Sequence, residues 1–246
     1  MNILIIGASS AIAEATAQFY AQSERANFFL VARNERKLNV VKDDLLVRGA
    51  HSIETHVTDL ADIKQTDAWL TQAFSVLGRI DLVLIAQGIL GEQDKAEQDL
   101  AHMHEILQVN GISQIDLLAQ LANRMEQQAS GTIACISSVA GDRGRPSNYV
   151  YGTSKAMVTT FLQGLRARLN TANVNVLTIK PGFVDTPMTA EIEKGGPLWA
   201  SPEIIAEGIA KAVESKRSVV YLPWFWQYIM LIIKHIPEVI FKRLKL

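Results

Sequence analysis

Short apolar runs alternate with longer segments of helical periodicity along most of this chain. The apolar runs are NILIIG, FFLVAR, SIETHV, DLVLIAQG, GTIACISS, VNVLTIKPG and SVVYLP, which begin at residues 2, 28, 52, 81, 131, 174 and 218. Several lack polar–apolar alternation, which is typical of parallel strands covered on both faces. The helical segments include residues 11–22, 66–77, 100–127, 148–169 and 202–215. This pattern predicts an α/β single-domain Rossmann fold, a doubly wound and mostly parallel seven-stranded sheet with helices on both faces.

The composition fits one globular domain and excludes several functional classes. The chain has 246 residues, 24 Lys plus Arg and 25 Asp plus Glu, so it lacks the basic field of a nucleic-acid-binding protein. Its single cysteine, Cys135, cannot form an internal disulfide and is expected in a buried strand. No Cys/His spacing indicates a metal site. We expect residues 1–223 to form the Rossmann domain, and 224–246 to form an amphipathic extension of it.

The C-terminal segment after Pro223 combines aromatic, aliphatic and cationic residues. Trp224 and Trp226 precede an apolar stretch whose cations are Lys234, Lys242, Arg243 and Lys245. The segment is too short to span a bilayer but has the composition of an interfacial helix. Packing between subunits of a homodimer or homotetramer is the favoured alternative. Without a recognisable secretory signal, a cytoplasmic location is expected, with peripheral contact at the inner face of the membrane as an option.

The first strand ends in the sequence GASSAIA, at the position of a nucleotide-binding loop. In the first βα turn of such a sheet, backbone N–H groups and the helix N-terminus attract phosphate. Gly7 permits a tight turn, and Ser9 and Ser10 offer hydroxyl donors. An ordinary strand-to-helix turn remains an alternative, because a glycine pattern alone is a weak signal.

The end of the second strand favours NADP(H) over NAD(H). An NAD-binding sheet carries an acidic residue there for the ribose 2′-hydroxyl, whereas an arginine accommodates a 2′-phosphate. The sequence has Ala32 followed by Arg33. The alternative is that Arg33 is a solvated residue at a helix start.

The segment ISSVAGDRGRPSNYVYGTSKAM contains a workable acid–base group. A helix capped by Ser147 would place Tyr151 and Lys155 four residues apart on one face, with Tyr149 pointing elsewhere. An adjacent ammonium lowers the pKa of a phenol, which makes the pair suitable for general acid–base catalysis. Ser138 ends the fifth strand, where its hydroxyl can hold a carbonyl oxygen beside the phenol.

These motifs together resemble the short-chain dehydrogenase/reductase family, from Asn2 to about Pro223. The family's Tyr-x-x-x-Lys motif appears as YGTSK, its serine motif as ISSVAG, its helical asparagine in VNGIS and its post-strand segment as KPGFVDTPM. The resemblance implies that Tyr151 exchanges the proton, Ser138 binds the substrate oxygen, Lys155 binds the nicotinamide ribose and lowers the pKa of Tyr151, and Asn110 supports a water-linked proton relay.

The same resemblance implies a set of cofactor-binding residues. Asp59 would contact adenine, although an Asp before a helix is also a common cap. The remaining positions are the loop residues Gly7, Ser9, Ser10, Ala11 and Ile12, then Arg33 and Gly88, the pair Tyr151 and Lys155, and Pro181, Gly182, Val184 and Thr186 near the nicotinamide.

Two segments depart from the family pattern. The glycine loop has Ile6 where threonine is common and Ala13 where its last glycine is common, and Ala11 is a familiar variant. The segment IAQG replaces NNAG and leaves only Gly88 in register. We expect the Ala13 methyl group to change the position of the first helix slightly without abolishing cofactor binding.

The substrate end of the sequence suggests a polar ligand without identifying it. Gly195, Gly196 and Pro197 lie in a segment that resembles the family's mobile substrate lid. Arg143 and Arg145 either hold an anionic group at the pocket mouth or are solvated loop residues.

The sequences SNYVYGTSKA and PGFVDTPM, with the tail IKHIPEVIFKRL, also resemble a subgroup of the family typified by decaprenylphosphoryl ribose 2-epimerase reductase subunits, which act on lipid-linked keto sugars. We therefore expect an NADP(H)-dependent enzyme that transfers hydride between nicotinamide and a carbonyl or alcohol group of a small molecule. The subgroup resemblance suggests a keto sugar, or a phosphorylated or lipid-linked keto sugar, as the substrate. The alternatives are a reductase of oxoacyl thioesters and a non-catalytic NADP(H)-binding sensor or scaffold.

Overall fold

The computed structural model describes residues 1–244, apart from the side chain of Glu24; Lys245, one of the cations assigned to the C-terminal segment, lies outside them. Nine strands occur in the described residues, and seven of them form one sheet. The strands are β1 (Asn2–Ile6), β2 (Asn27–Ala32), β3 (Ser52–Val57), β4 (Leu82–Ile85), β5 (Thr132–Ile136), β6 (Asn175–Pro181), β7 (Phe183–Val184), β8 (Trp199–Ala200) and β9 (Val219–Leu222).

Ten α-helices connect or follow these strands in the part of the chain that the structure describes. They are α1 (Ala11–Glu24), α2 (Glu35–Val47), α3 (Thr66–Leu77), α4 (Gln93–Gln98), α5 (Leu100–Leu107), α6 (Ser113–Gln128), α7 (Tyr149–Leu169), α8 (Pro202–Glu214), α9 (Trp226–His235) and α10 (Glu238–Phe241). Each of the long predicted helices is present. The segment predicted over 100–127 is helical throughout, and it contains a π-helical turn at Gln108–Ile112 between α5 and α6.

The large sheet is parallel throughout and has the strand order β3-β2-β1-β4-β5-β6-β9. This confirms the predicted doubly wound fold. The order reverses between β1 and β4, so the carboxyl ends of these two strands open a crevice at the switch point. The pairing of β7 with β8 in a separate short sheet was not predicted.

Both faces of the sheet are buried, which explains why its strands are apolar without alternation. Ile3 and Ile5 of β1 pack on one face with α1, α2 and α8. Leu4 and Ile6 pack on the other face with α3, α6 and α7. Cys135 is fully buried in β5, as predicted.

The C-terminal helix α9 folds back onto its own chain. Trp226 and Met230 are buried against Val139, close to the carboxyl edge of β5. The opposite side of α9 leaves Leu231 and Ile232 exposed. None of the helices in residues 1–244 is both long and apolar enough to cross a membrane.

Candidate active site

The turn after β1 lies at the switch point of the sheet. Gly7 has a left-handed φ of +81°, and its N–H donates to the Val31 carbonyl at 2.9 Å. A Cβ atom at this position would lie 2.6 Å from the backbone nitrogen of Gln87, just after β4. Only glycine therefore allows the chain to turn this close to the end of β4.

Helix α1 begins directly after this turn. The Ser10 hydroxyl oxygen caps it by accepting the Ala13 N–H at 3.3 Å. Ser9, Ser10, Ala11 and Ile12 are partly exposed, whereas Ala13 is fully buried in the core. The Ala13 methyl group thus packs between helix and sheet, and the partly exposed first residues of α1 remain accessible to an anion at the helix N-terminus.

Arg33 and Asp59 follow the ends of the next two strands, β2 and β3. Arg33 directly follows β2 and is exposed. Asp59 is exposed as well, and its carboxylate accepts the Ala61 N–H at 3.0 Å. Asp59 therefore caps a turn, while Asp62 caps the following 3₁₀ helix.

Ser138 and Tyr151 meet at the carboxyl edge of the sheet, where β5 ends. Ser138 caps a 3₁₀ turn, its hydroxyl oxygen accepting the Ala140 N–H at 3.1 Å. Burial raises the pKa of the Tyr151 phenol, and the hydrogen bond with the Ser138 hydroxyl lowers it. Burial has the larger effect, so the pKa is raised to about 12. The phenol is therefore protonated at neutral pH, the form in which it can donate a proton.

Tyr151 and Lys155 lie on α7 as their spacing predicts. The helix begins at Tyr149, and its N-cap position is Asn148, one residue after the predicted cap at Ser147. The Lys155 ammonium is 5.8 Å from the centroid of the Tyr151 ring. We expected this ammonium to lower the pKa of Tyr151. In this structure the desolvation of the phenol raises that pKa, and the opposing effect comes from the hydrogen bond with Ser138.

Lys155 is buried between the end of β5 and Gly88. Its ammonium donates to the Ile136 carbonyl at 3.1 Å, and burial lowers its pKa to about 8. A Cβ atom on Gly88 would lie 3.6 Å from the Lys155 nitrogen and 3.0 Å from the Asn110 side-chain oxygen. Lys155, Gly88 and Asn110 are therefore direct neighbours at this edge of the sheet.

The π-helical turn holds Asn110 in this position. Its side-chain oxygen accepts the Ile89 N–H at 2.8 Å, and its amide donates to the Ile89 carbonyl at 2.7 Å. Asn110 is fully buried. It thus fixes the loop after Gly88 as well as lying beside Lys155.

The predicted nicotinamide-lining residues lie where β6 ends. Pro181 is the last residue of β6, and Val184 pairs with β8 in the short sheet. Thr186 starts a 3₁₀ turn at Pro187–Thr189. The mostly exposed segment 187–198, which includes the predicted lid, therefore begins and ends near the pair of short strands β7 and β8. Gly182 directly precedes β7.

Comparison with known proteins decides the family. The family model for short chain dehydrogenases matches residues 1–196. The protein belongs to this family. An uncharacterized oxidoreductase of Mycobacterium tuberculosis is 32% identical to it over 242 residues, which cover 98% of this chain and 96% of the relative.

Two further matches are a relative and a solved structure. The ketoacyl reductase HetN of Nostoc is 28% identical over 223 residues, which cover 89% of this chain and 77% of HetN. The structure of a short-chain dehydrogenase from Sphingobium yanoikuyae in complex with NADPH has the same fold, with a TM-score of 0.82, 22% identity and 96% coverage of each chain. This short chain dehydrogenase is therefore an oxidoreductase.

In this short chain dehydrogenase the IAQG segment joins a buried polar network that the sequence did not predict. The Gln87 amide donates to the Ser113 hydroxyl at 3.0 Å. The Gln114 amide donates to the Gln87 carbonyl at 2.9 Å, and the Cys135 thiol donates to the Gln114 side-chain oxygen at 3.5 Å. Two glutamine side chains thus link the crevice wall to α6 and β5. The replacement of NNAG by IAQG was the only sequence sign of this network. The sequence does not show which residues Gln87 contacts, because Ser113 and Gln114 are 26 and 27 residues away.

A buried ion pair also escaped the sequence interpretation of this short chain dehydrogenase. Asp142 pairs with Lys180, and their side chains are 3% and 7% exposed. The Tyr221 hydroxyl donates to the other Asp142 oxygen at 2.6 Å. Because Lys180 directly precedes Pro181, the pair ties the turn after Ser138 to the end of β6.

Arg143 binds the C-terminal segment of this short chain dehydrogenase. Its guanidinium donates to the carbonyls of Ile233 and Ile236 at 2.6 and 2.7 Å. It also pairs with Glu238 at 2.9 Å and lies 3.6 Å from the Phe241 ring centroid. Both predicted roles of Arg143, anion binding and solvation, are wrong, because the C-terminal segment folds over the loop that carries it.

Arg145, on the same loop, is partly buried and has one guanidinium nitrogen without a partner among the described residues. Its Nε is buried and has no hydrogen-bond partner in the described part of the chain, and the same holds for the Asn148 side-chain oxygen. Burial lowers the pKa of the Arg145 guanidinium.

Trp226 is a further site residue, which the sequence assigned to an interfacial helix or a subunit interface. It is only 3% exposed. A Cβ atom on Gly182 would lie 1.9 Å from its indole nitrogen, so the indole covers Gly182 directly. The sequence does contain a signal for this position. Trp226 is only four residues from Leu222, the end of the last strand, so it must lie near the carboxyl edge of the sheet.

Proposed function

We propose that the protein is an NADP(H)-dependent reductase of carbonyl compounds, with the reverse alcohol oxidation carried out by the same residues. The observation that carries this proposal is the hydrogen bond between the Tyr151 phenol and the Ser138 hydroxyl, with the ammonium of the buried Lys155 5.8 Å from the centroid of the Tyr151 ring. The NADPH complex of the Sphingobium yanoikuyae structure and the ketoacyl reductase activity in the name of HetN support it.

The crevice has the features that NADP(H) requires. The Gly7 turn brings backbone close to the end of β4, and the start of α1 is partly exposed for a pyrophosphate. Exposed Arg33 suits a 2′-phosphate, and no carboxylate occupies the adjacent Ala32 position, so NAD(H) is the less favoured cofactor. Bound there, the cofactor supplies or accepts the hydride. Asp59, Gly88, Val184 and Thr186 complete the proposed cofactor contacts.

In the reduction, Ser138 and Tyr151 would hold the carbonyl oxygen of the substrate. The Tyr151 phenol donates its proton to that oxygen as negative charge develops on it. The Lys155 ammonium then stabilises the resulting phenolate electrostatically. Asn110 would complete a water-linked path that returns a proton to this group.

The reduction rate should depend on the charge of Lys155. The pKa of Lys155 is lowered to about 8, so its ammonium is present below this pH and is lost above it. We expect kcat/KM for carbonyl reduction to fall as pH rises through about 8, measured between pH 6 and 10. In Lys155→Arg this fall should disappear, because a guanidinium stays charged. A fall near pH 8 that persists in the variant would assign it to another group.

We favour a keto sugar that carries an anionic group, phosphorylated or lipid-linked, as the substrate. The unpartnered Arg145 Nε, on the loop between Ser138 and Tyr151, supports this choice. The resemblance to HetN favours oxoacyl thioesters as the second candidate. A non-catalytic NADP(H) sensor is the third, and the protonated phenol beside Ser138 argues against it.

A cofactor-oxidation screen tests these alternatives. Purified protein is mixed with NADPH or NADH and with simple ketones, phosphorylated and lipid-linked keto sugars, or oxoacyl thioesters, and absorbance at the reduced nicotinamide band is followed. NADPH oxidation with a carbonyl compound is the expected result. Tight NADPH binding without turnover of any carbonyl compound would instead support the sensor.

Two surfaces support the proposed assemblies. An apolar depression of about 670 Å³ between α6 and α7, lined in part by Met157 and Phe161, suits a second copy of the chain in a homodimer or homotetramer. Exposed Trp224 and Tyr228, near cationic Lys234, suit peripheral contact of a cytoplasmic protein with an anionic membrane. Sedimentation at one monomer mass would refute the first, and failure to float with anionic liposomes would refute the second.

A further inference from the structure

We propose that the indole N–H of Trp226 donates a hydrogen bond to an oxygen substituent of the substrate, close to the carbonyl held by Ser138 and Tyr151. This inference rests on the proposed carbonyl reduction and narrows its substrates. The preferred class would be ketones with a hydroxyl, ether or second carbonyl oxygen on a neighbouring carbon.

The unpartnered donor is the first observation. The Trp226 side chain is 3% exposed, yet its indole nitrogen has no hydrogen-bond partner among residues 1–244. Buried indole N–H groups usually find an acceptor, because a donor removed from water without one costs free energy. An acceptor that arrives with a ligand accounts for this arrangement.

The position of the indole is the second observation. Its nitrogen would lie 1.9 Å from a Cβ atom on Gly182, so only glycine leaves room for it there. The ring also belongs to the same buried apolar cluster as Val139, the residue after Ser138. The donor therefore lies near both the turn that carries Ser138 and the strand end that carries the predicted nicotinamide contacts.

The ring is also held rigidly, which suits a specificity determinant. It packs edge-to-face on Phe183, with centroids 5.4 Å apart and an interplanar angle of 76°. Arg143 holds the end of the same helix through the carbonyls of Ile233 and Ile236. A donor oriented before binding loses little entropy when the substrate arrives.

Hydroxyacetone and 2-butanone provide a matched pair of probes, because they differ only in a hydroxyl group in place of a methyl group. In the wild-type enzyme we expect kcat/KM to favour hydroxyacetone. Trp226→Phe keeps an aromatic ring and removes the donor, so it should reduce this preference about tenfold, the effect of one hydrogen bond. Trp224→Phe is the control, since Trp224 is 71% exposed, and it should leave the preference unchanged. An unchanged preference in Trp226→Phe would overturn the inference.

A second readout separates this inference from the proposed function. In ¹⁵N-labelled protein with NADP⁺, the Trp226 indole resonance, assigned from the Trp226→Phe spectrum, should move downfield with hydroxyacetone and not with 2-butanone. The same movement without NADPH oxidation by any carbonyl compound of the screen would refute the reductase and leave the Trp226 contact standing. Turnover of hydroxyacetone without movement of this resonance would refute the contact alone.

Discussion

Tyr151→Phe should lower kcat/KM for carbonyl reduction by about 10²- to 10⁴-fold, the usual contribution of a positioned general acid. The substitution removes only the phenol oxygen, which carries the proton and meets the Ser138 hydroxyl. NADPH binding, measured by titration of the nicotinamide fluorescence, should stay close to the wild-type value. The ring itself stays on α7, so the fold should be retained.

Tyr149→Phe is the matched control for this variant. Tyr149 is two residues earlier on the same helix, and 43% of it is exposed, so kcat/KM should change little. If Tyr151→Phe retains wild-type turnover, the proton comes from another group and the proposed mechanism fails. If both variants lose activity equally, the effect is structural and does not identify a proton donor.

The strands and the family could be predicted because their signals are local. Parallel strands such as β1 place Ile3 and Leu4 on opposite buried faces, so an unbroken apolar run is itself the signature of the fold. Tyr151 and Lys155 are likewise fixed by their spacing on one helix. The π-helical turn at Asn110 was not predictable in the same way, because helical periodicity continues on both sides of it and the Asn110 side chain is held by Ile89, 21 residues away.

The features that sequence reasoning missed depend on residues far apart in the chain. Arg143 donates to the carbonyl of Ile233, 90 residues away, and this contact holds the C-terminal segment against the loop of Arg143. The raised pKa of Tyr151 was not predicted for a related reason. The sequence reveals the nearby charge of Lys155, but the desolvation that raises the pKa comes from the whole fold around the phenol.

Gly7→Ala should destabilise the protein and weaken NADPH binding together. The new Cβ atom would lie 2.6 Å from the Gln87 nitrogen and 2.9 Å from two further backbone atoms, which cannot move aside as a flexible side chain can. Overpacking and the left-handed φ of +81° together should cost about 2 to 4 kcal/mol of unfolding free energy. Relief of the overlap would move β1 away from β4 and widen the crevice, so NADPH affinity should fall at least about tenfold.

Gly144→Ala separates this effect from a general intolerance of the chain to added methyl groups. A Cβ atom on Gly144 would meet no atom within 4 Å, so its unfolding free energy should stay within about 0.5 kcal/mol of the wild-type value. Urea denaturation and NADPH titration of both variants provide the comparison. Normal NADPH affinity in Gly7→Ala would mean that the pyrophosphate does not rest on this turn, and the assignment of GASSAIA as the cofactor loop would be wrong. The expected result is that Gly7→Ala loses NADPH affinity and Gly144→Ala keeps it. Of the two added methyl groups, only the one at residue 7 meets backbone atoms, those of Ala86 and Gln87 after β4.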